Sequence, residues 1–401
     1  MRSNSEYTYL SANLDYNKFL KLCPMKPFSI EIVDYLNALS KELKKDPRLR
    51  THPDVAAFAF FCRKSNISKL KKKFDESTLV KLGRGTVFHI APSNVPVNFA
   101  FTLIMGLLAG NANIVRVPSR KFNQIEVISD TINRLGELSQ YKTISERIIL
   151  IRYERDSELT KKFSEECDVR VIWGGDDTIN QVRKNPLQPQ AFDITFSDRY
   201  SLCALNADQF INDSNPDKVA NDFYNDTYLF DQNACTSPHL LIWTGTKTNV
   251  KKAKNIFWDK LYTLVKKKYK VEPVAAINKL TNFYSQAINL KDISYNQNED
   301  NMIWRITLND LDENIEQFRC DSGYFSEYHA SSLMELSKIV KRKYQTLSYY
   351  GYKRKELVEI MKQLRPSGID RIVPIGRTMD FSLIWDGYSI INSLSRSIEI
   401  L

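Results

Sequence analysis

Several signals that would place a chain at once are missing here. No two of the six cysteines, at 23, 62, 167, 203, 235 and 320, stand at Cys-x-x-Cys spacing, which argues against a zinc site. Only four histidines occur, and His52, His89 and His329 show no ligand spacing, so no metal is expected. Residues 1–20 contain Arg2, Glu6, Asp15 and Lys18 and no apolar leader core. They do not read as a signal peptide, and reduced thiols in a cytoplasmic setting are expected. The longest uncharged stretch, residues 90–115, is broken by Pro92, Asn94, Pro96, Asn98, Asn111 and Asn113. A membrane span needs about 20 consecutive, mostly apolar residues, so the stretch reads as a buried helix between turns, with no membrane span. There is no repeat, low-complexity tract or flexible linker, and no Gly-x-Gly-x-x-Gly fingerprint.

What is present is an ordinary globular mixture, 43% hydrophobic and 26% charged over 401 residues, enough for two packed domains. Lysine and arginine exceed acidic residues by 57 to 47, giving a net charge of +10. A basic surface suits nucleic acid, and equally polyanionic small molecules or an acidic carrier protein. The runs Lys71–Lys73 and Lys266–Lys268 read as helix ends whose charge complements the helix dipole.

Ser29 stands where a helix carrying Ile30, Val33, Leu36 and Leu39 would begin, and residues 55–61 form another apolar helical face. From residue 86 strands and helices alternate. Strands are expected over 86–90, 113–117, 147–152 and 169–173, and helices over 97–109, 122–138, 157–167 and 176–183. Continuous apolar strands joined by helices predict a parallel sheet, and such sheets bind dinucleotides at their carboxyl ends. Further on, strands are expected over 200–205, 240–243 and 302–308, and helices over 217–223, 250–265, 274–290, 333–343 and 353–364.

Within this pattern the segment Thr227-Tyr-Leu-Phe-Asp-Gln-Asn-Ala-Cys-Thr-Ser-Pro-His-Leu-Leu-Ile-Trp243 stands out. A polar turn carries Cys235 and runs into an apolar strand, with Pro238 holding Ser237 extended. Amide and hydroxyl donors around a thiol are expected to lower its pKa. A second segment, Ala91-Pro-Ser-Asn-Val-Pro-Val-Asn-Phe-Ala100, leads to Gly110-Asn111 and then Ile114-Val-Arg-Val-Pro-Ser119.

Together "HIAPSNVPVNF", "GLLAGNANIVRVPS" and "FDQNACTSPH", with Gly368–Gly376 and Trp385-Asp-Gly387 near the end, resemble the aldehyde dehydrogenase superfamily, and within it the LuxC-type fatty-acyl reductases. The matching segments spread from about Gly83 to the C-terminus. The resemblance implies an α/β fold of aldehyde dehydrogenase type, a Rossmann-type parallel-sheet cofactor domain plus an α/β catalytic domain. The expected division is an N-terminal helical region over 1–80 packed on the cofactor domain, an NADP(H)-binding domain over 81–198, a catalytic domain over 199–370 carrying Cys235, and a C-terminal segment over 371–401 that returns to the cofactor domain or forms an interface.

The resemblance also implies a chemistry. Cys235 would accept the acyl group of a thioester, since thioester exchange is nearly balanced and keeps the carbonyl activated. Asn94 and the Cys235 backbone N–H would donate to the oxyanion, where losing one donor costs roughly 3 kcal/mol. His239, four residues beyond Cys235, is a candidate to move the thiol proton. Arg116, Ser119 and Arg120 at one strand end and the Gly174–Gly175 turn are the expected cofactor positions. Arginines there suit a ribose 2′-phosphate, hence NADPH. Hydrolytic relatives carry a glutamate where this chain has Ile194-Thr-Phe-Ser-Asp-Arg199; without that base, water attack on a thioacyl enzyme is slow. The expected reaction is therefore NADPH-dependent reduction of an acyl-CoA or acyl carrier protein thioester to an aldehyde. The resemblance further implies an acyl-protein synthetase or acyl transferase as partner, and a homo-oligomer. The rivals are an aldehyde-oxidising dehydrogenase, a nucleic-acid-binding protein, and a scaffold that keeps the fold without the chemistry.

Overall fold

The computed structural model describes the chain except residues 1–2, 5–6, 13–14, 75–78, 93–94, 156, 213–214, 298–299 and 401. It divides into two units, Met1–Ser197 with Tyr388–Leu401, and Asp198–Gly387.

The first unit is built on a seven-stranded sheet. Its order is Ser3–Asn4, Tyr7–Ala12, Ile148–Tyr153, Ala112–Arg116, Thr86–Ile90, Val169–Trp173 and Phe192–Phe196. The five strands from Ile148–Tyr153 to Phe192–Phe196 are parallel. Thr86–Ile90 and Val169–Trp173 are buried at every position, as strands covered on both faces must be. In chain order the sheet grows one way from Thr86–Ile90 and then the other way, so the order reverses between these two strands. Loops at the carboxyl ends beside such a reversal are where α/β sheets bind ligands.

The helices follow the apolar spacing. Asn98–Leu108 buries almost all of its residues, which explains the long uncharged run without a membrane. No described helix is long and apolar enough to cross one. Asn123–Gly136 buries Ile125, Ile128, Ile132 and Leu135, one stripe at helical period. Ile30–Lys45 begins after Ser29, but the Ser29 side chain makes no capping bond.

The N-terminal segment is not wholly helical. Tyr7–Ala12 pairs antiparallel with Ile148–Tyr153, because Tyr7, Thr8 and Tyr9 favour the pleated backbone. The far C-terminus belongs here too: Ser395–Ile398 pairs antiparallel with Val80–Gly83.

The second unit carries another seven-stranded sheet, in the order Ser294–Gln297, Trp304–Leu308, Tyr324–His329, Pro238–Thr244, Tyr200–Asn206, Tyr344–Tyr350 and Arg371–Pro374. Only the edge pair Ser294–Gln297 and Trp304–Leu308 is antiparallel. One face packs Leu241 and Trp243 against Phe223 and Phe257 of the helices Pro216–Thr227 and Lys247–Lys268. The other packs Leu240, Ile242 and Leu347 with Leu333, Leu336 and Leu357.

One expectation fails in this unit, and one strand was not expected. The expected helix over 333–343 is instead a short 3-10 helix, Leu333–Lys338. Leu333, Leu336 and Ile339 are all buried, and their spacing of three matches the 3.0 residues per turn of that tighter helix. The Tyr344–Tyr350 strand follows. The Tyr324–His329 strand was unexpected because Glu327 interrupts its apolar pattern. Glu327 is fully buried and takes hydrogen bonds from the indole N–H groups of Trp243, at 3.2 Å, and Trp258, at 3.1 Å. Lys254 and Arg305 lie at 3.4 and 3.2 Å from its oxygens. A buried carboxylate is tolerated when paired and hydrogen-bonded in this way.

Candidate active site

The Cys235 loop is held from below by one glutamine. Asp231 and Gln232 adopt left-handed backbone conformations, with φ of 51° and 61°, which turns the chain sharply. The buried Gln232 amide then donates to the Pro238 and Tyr324 carbonyls, each at 2.9 Å, and accepts from the Gly323 and Tyr324 N–H groups at 2.9 and 3.1 Å. The loop is thereby stitched to the neighbouring strand with every bonding site of that amide used. Ser201 fixes the cysteine itself. Its hydroxyl donates to the Cys235 carbonyl at 2.6 Å and accepts from the Thr346 N–H at 3.2 Å.

Cys235 is half-buried, and its sulfur accepts from Gln345 Nε2 at 3.4 Å. The same Nε2 donates to Asp386 Oδ1 at 2.5 Å. The Arg199 guanidinium lies 3.7 Å from the other Asp386 oxygen, pairs with Asp370, and donates to the Lys343 and Tyr344 carbonyls at 3.1 and 2.7 Å. The backbone N–H groups of Cys235 and Thr236 have no acceptor among the described residues, so both remain available as donors.

The thiol pKa is not lowered. Burial pushes it up to about 11, helped by the Asp386 charge, against the Gln345 hydrogen bond and Arg199. The expected donors are present, but desolvation of the anion outweighs them. The resting sulfur is a neutral thiol. Burial also holds the Asp386 carboxyl above its ordinary range, while Arg199 and Gln345 oppose the shift.

Asp226 supports the same loop. Its carbonyl accepts from the Ser237 hydroxyl at 2.8 Å, and its two carboxylate oxygens accept from the Gly376 and Thr378 N–H groups at 2.7 and 3.1 Å. Burial raises its pKa to about 6 despite these bonds.

His239 is turned to other work. Its Nδ1 lies 3.1 Å from the Cys320 carbonyl and its ring stacks on Tyr200 at 5.6 Å. Burial pushes its pKa down to about 3, so it is neutral across the physiological range. The structure gives it no hydrogen bond to Cys235.

The remaining sequence candidates lie in the first unit. Arg116 ends the Ala112–Arg116 strand, and its Nε and Nη2 donate to the Tyr153 carbonyl at 3.3 and 3.2 Å. The Ser119 hydroxyl reaches the same carbonyl at 3.4 Å, and exposed Arg120 lies over the Phe122 ring. These side chains therefore gather at one strand end. The Gly174–Gly175 turn follows the Val169–Trp173 strand beside the order reversal and opens the Asp176–Arg183 helix. A Cβ on Gly175 would meet nothing within 4 Å, whereas one on Gly174 would press on Thr178 at 3.0 Å. The turn is open at Gly175. Asp176 and Asp177 occupy the first helical turn, which suits hydroxyl groups better than phosphate. Asn94 falls outside the described residues.

Sequence reasoning passed over Arg199, Gln345 and Asp386. Asp386 lies in the Trp385-Asp-Gly387 segment and has a left-handed backbone, φ 47°, with Gly387 at 77°. Asp-Gly reads as a turn from sequence, and only the fold brings its carboxylate to Gln345. No metal-holding group of three His, Cys, Asp or Glu side chains occurs among the described residues.

The family profile described as acyl-CoA reductase (LuxC) matches residues 64–397. The long-chain acyl-protein thioester reductase of Vibrio harveyi is 24% identical over 303 residues, covering 73% of this chain and 59% of that one. Its Aliivibrio fischeri counterpart is 22% identical over 300 residues, with 73% and 58% covered. A third relative of that name, from Photorhabdus laumondii, is 24% identical over 173 residues, 43% of this chain and 35% of its own. The chain thus spans less than two thirds of the length of the curated relatives it matches. Among solved structures, lactaldehyde dehydrogenase from Escherichia coli superposes with a TM-score of 0.64 at 10% identity, over 95% of this chain and 87% of the other. Aldehyde dehydrogenase 21 from Physcomitrella patens gives 0.62 at 12% identity, over 92% and 85%. At these identities the likeness establishes the fold, which is of aldehyde dehydrogenase type.

Proposed function

The chain belongs to the acyl-CoA reductase (LuxC) family, and from that premise we propose that it reduces an acyl thioester to an aldehyde through a thioacyl enzyme on Cys235. The observation that carries this reading is the cysteine loop. A half-buried sulfur with a side-chain N–H donor stands beside two backbone N–H groups that have no acceptor among the described residues. That is the donor set an acyl-accepting thiol needs.

In this mechanism Cys235 Sγ loses its proton and attacks the thioester carbonyl carbon. The new S–C bond forms, the oxyanion is held by the Cys235 N–H and by the Asn94 amide, and the carrier's C–S bond breaks. The carrier sulfur leaves as a thiolate and takes up a proton. Asn94 carries this role from the family resemblance. We assign His239 to packing, since its ring is neutral and engaged with Cys320.

Arg116, Ser119 and Arg120 would hold the ribose phosphate of NADPH, and the open turn at Gly175 would border its other half. When bound, the nicotinamide supplies the hydride that converts the thioacyl carbon to an aldehyde. Arg116 and Ser119 converge on one carbonyl, which fixes them at the strand end where a phosphate would be read. The position where hydrolytic relatives carry a glutamate ends here in Arg199, whose guanidinium is paired with Asp370 and Asp386. That segment, Ile194 to Arg199, carries no glutamate, and its one carboxylate, Asp198, is paired with Arg319 and Lys343, which favours transfer from a thiol donor over oxidation to an acid.

The donor in this reading is acyl-CoA or acyl carrier protein, and the relatives' names point to long-chain acyl groups. An acyl-protein synthetase or acyl transferase would supply them to a cytoplasmic homo-oligomer. The lysine runs lie at helix C-termini: Lys266–Lys268 closes Lys247–Lys268, and Lys71 ends Lys64–Lys71. There they complement the helix dipole. The reading is tested by NADPH oxidation and aldehyde formation with acyl-CoAs of graded length. Acid formed from an aldehyde at a faster rate, without need of a thiol acceptor, would favour the dehydrogenase instead.

A further inference from the structure

The chain Arg199, Asp386, Gln345 and Cys235 lies wholly within the second unit. Two observations fix how the Gln345 amide is turned. A carboxylate accepts hydrogen bonds, so the Gln345 atom 2.5 Å from Asp386 Oδ1 is the nitrogen. The Thr346 hydroxyl donates to Gln345 Oε1 at 3.2 Å, which holds the other end. Nε2 carries two N–H groups. One is committed to Asp386, and the nitrogen lies 3.4 Å from Cys235 Sγ, so the second is directed at sulfur. Gln345 is 2% exposed, and water does not replace that donor readily.

We infer that Gln345 is a further catalytic residue, whose amide N–H stabilises Cys235 sulfur as its proton leaves, with Asp386, Arg199 and Thr346 as positioning residues that aim the amide. The inference rests on the reading of Cys235 as the acyl acceptor. In the step concerned the Sγ–H bond breaks and its proton passes to solvent. The electron pair stays on sulfur, where the Gln345 N–H meets the growing negative charge, and then forms the S–C bond to the acyl carbon. Hydrogen bonds to a charged partner are about twice as strong as neutral ones, so this contact strengthens along the reaction.

The charged groups acting on the sulfur are Asp386 and Asp198, which disfavour its anion, and Arg199, which favours it; Arg371 also feels the Cys235 charge. Asp386 therefore has opposed effects, since it aims the donor and repels the anion. Removing the donor and neutralising the carboxylate should move the thiol in opposite directions.

The experiment is the rate of Cys235 alkylation by iodoacetamide between pH 7 and 11, read by peptide mass spectrometry on full-length wild type, Gln345→Met and Asp386→Asn. Methionine keeps the shape without the donor, and asparagine keeps an acceptor for Nε2 without the charge. Gln345→Met is expected to alkylate roughly tenfold more slowly at pH 8, with its profile displaced to higher pH. Asp386→Asn is expected to alkylate faster, with its profile displaced to lower pH. Cys203, buried in the same unit, must remain unmodified, which shows that the variants are folded. Should Gln345→Met expose Cys203, Gln345→Glu takes its place and is also expected to slow alkylation, since it sets a second negative charge beside the sulfur. Profiles that superimpose on wild type would overturn the inference. A wild-type protein that alkylates as described but accepts no acyl group would overturn the function reading, and with it the catalytic role of Gln345.

Discussion

The Ser201 hydroxyl donates to the Cys235 carbonyl at 2.6 Å while accepting from the Thr346 N–H at 3.2 Å. One side chain thus ties the cysteine loop to the strand that carries Gln345. Ser201→Ala removes both bonds. At about 1 kcal/mol each, the loss should lower the melting temperature by about 5 °C. Acylation should slow by more than stability alone accounts for, because the sulfur loses its register with Gln345. Thermal melts compared with single-turnover acylation rates check this, and an acylation rate equal to wild type would contradict it.

Gln232 offers a test of what holds the loop. Gln232→Leu leaves two carbonyls and two N–H groups buried without their partner, and one stranded group costs about 1–3 kcal/mol. A loss of about 3 kcal/mol or more is expected, read as a lower urea midpoint. A loss under about 1 kcal/mol would mean that water or a backbone shift replaces the amide.

Asp226 should give the protein a pH dependence. Its folded pKa of about 6 lies above the ordinary carboxylate range. The folded state therefore binds its proton more tightly than the unfolded state does. Its contribution to stability is full below about pH 4 and is lost as pH rises through about 6. The change is of order 3 kcal/mol. Asp226→Asn should flatten this part of the stability profile, and melting temperatures from pH 4 to 7 on both proteins would detect it. Identical slopes would contradict the assignment.

Arg116 bears on cofactor choice. Replacing it by alanine removes a phosphate partner with a charge-assisted contact of about 2 kcal/mol. The ratio of NADPH to NADH affinity should fall roughly thirtyfold, while NADH binding itself changes little. The ratio cancels any general damage from the lost Tyr153 contact. An unchanged ratio would move the phosphate elsewhere.

Strands and helices from Thr86 to Arg183 were legible because parallel strands read as apolar runs and their helices as stripes. Thr86–Ile90, Val169–Trp173 and Asp176–Arg183 appear at the expected residues. The Tyr324–His329 strand was illegible because its Glu327 is satisfied by residues far off in sequence, Lys254 and Arg305 among them. The turn of Leu333–Lys338 was misread because a spacing of three fits the helical stripe and the 3-10 turn alike. At the site, the position of Cys235 on a polar loop could be read, but its electrostatics could not. Sequence shows donors near a thiol and says nothing of the burial that raises its pKa. Gln345 and Asp386, 110 and 151 residues from Cys235, meet it only through the sheet.

The most direct measurement is intact mass after incubation with a panel of acyl-CoAs, on wild type and Cys235→Ala, first without and then with NADPH. One acyl adduct is expected on wild type and none on Cys235→Ala, with its discharge by NADPH as aldehyde appears. The chain length that loads best would define the substrate. No adduct with any acyl-CoA, and none with acyl carrier protein thioesters, would contradict Cys235 as the acyl acceptor.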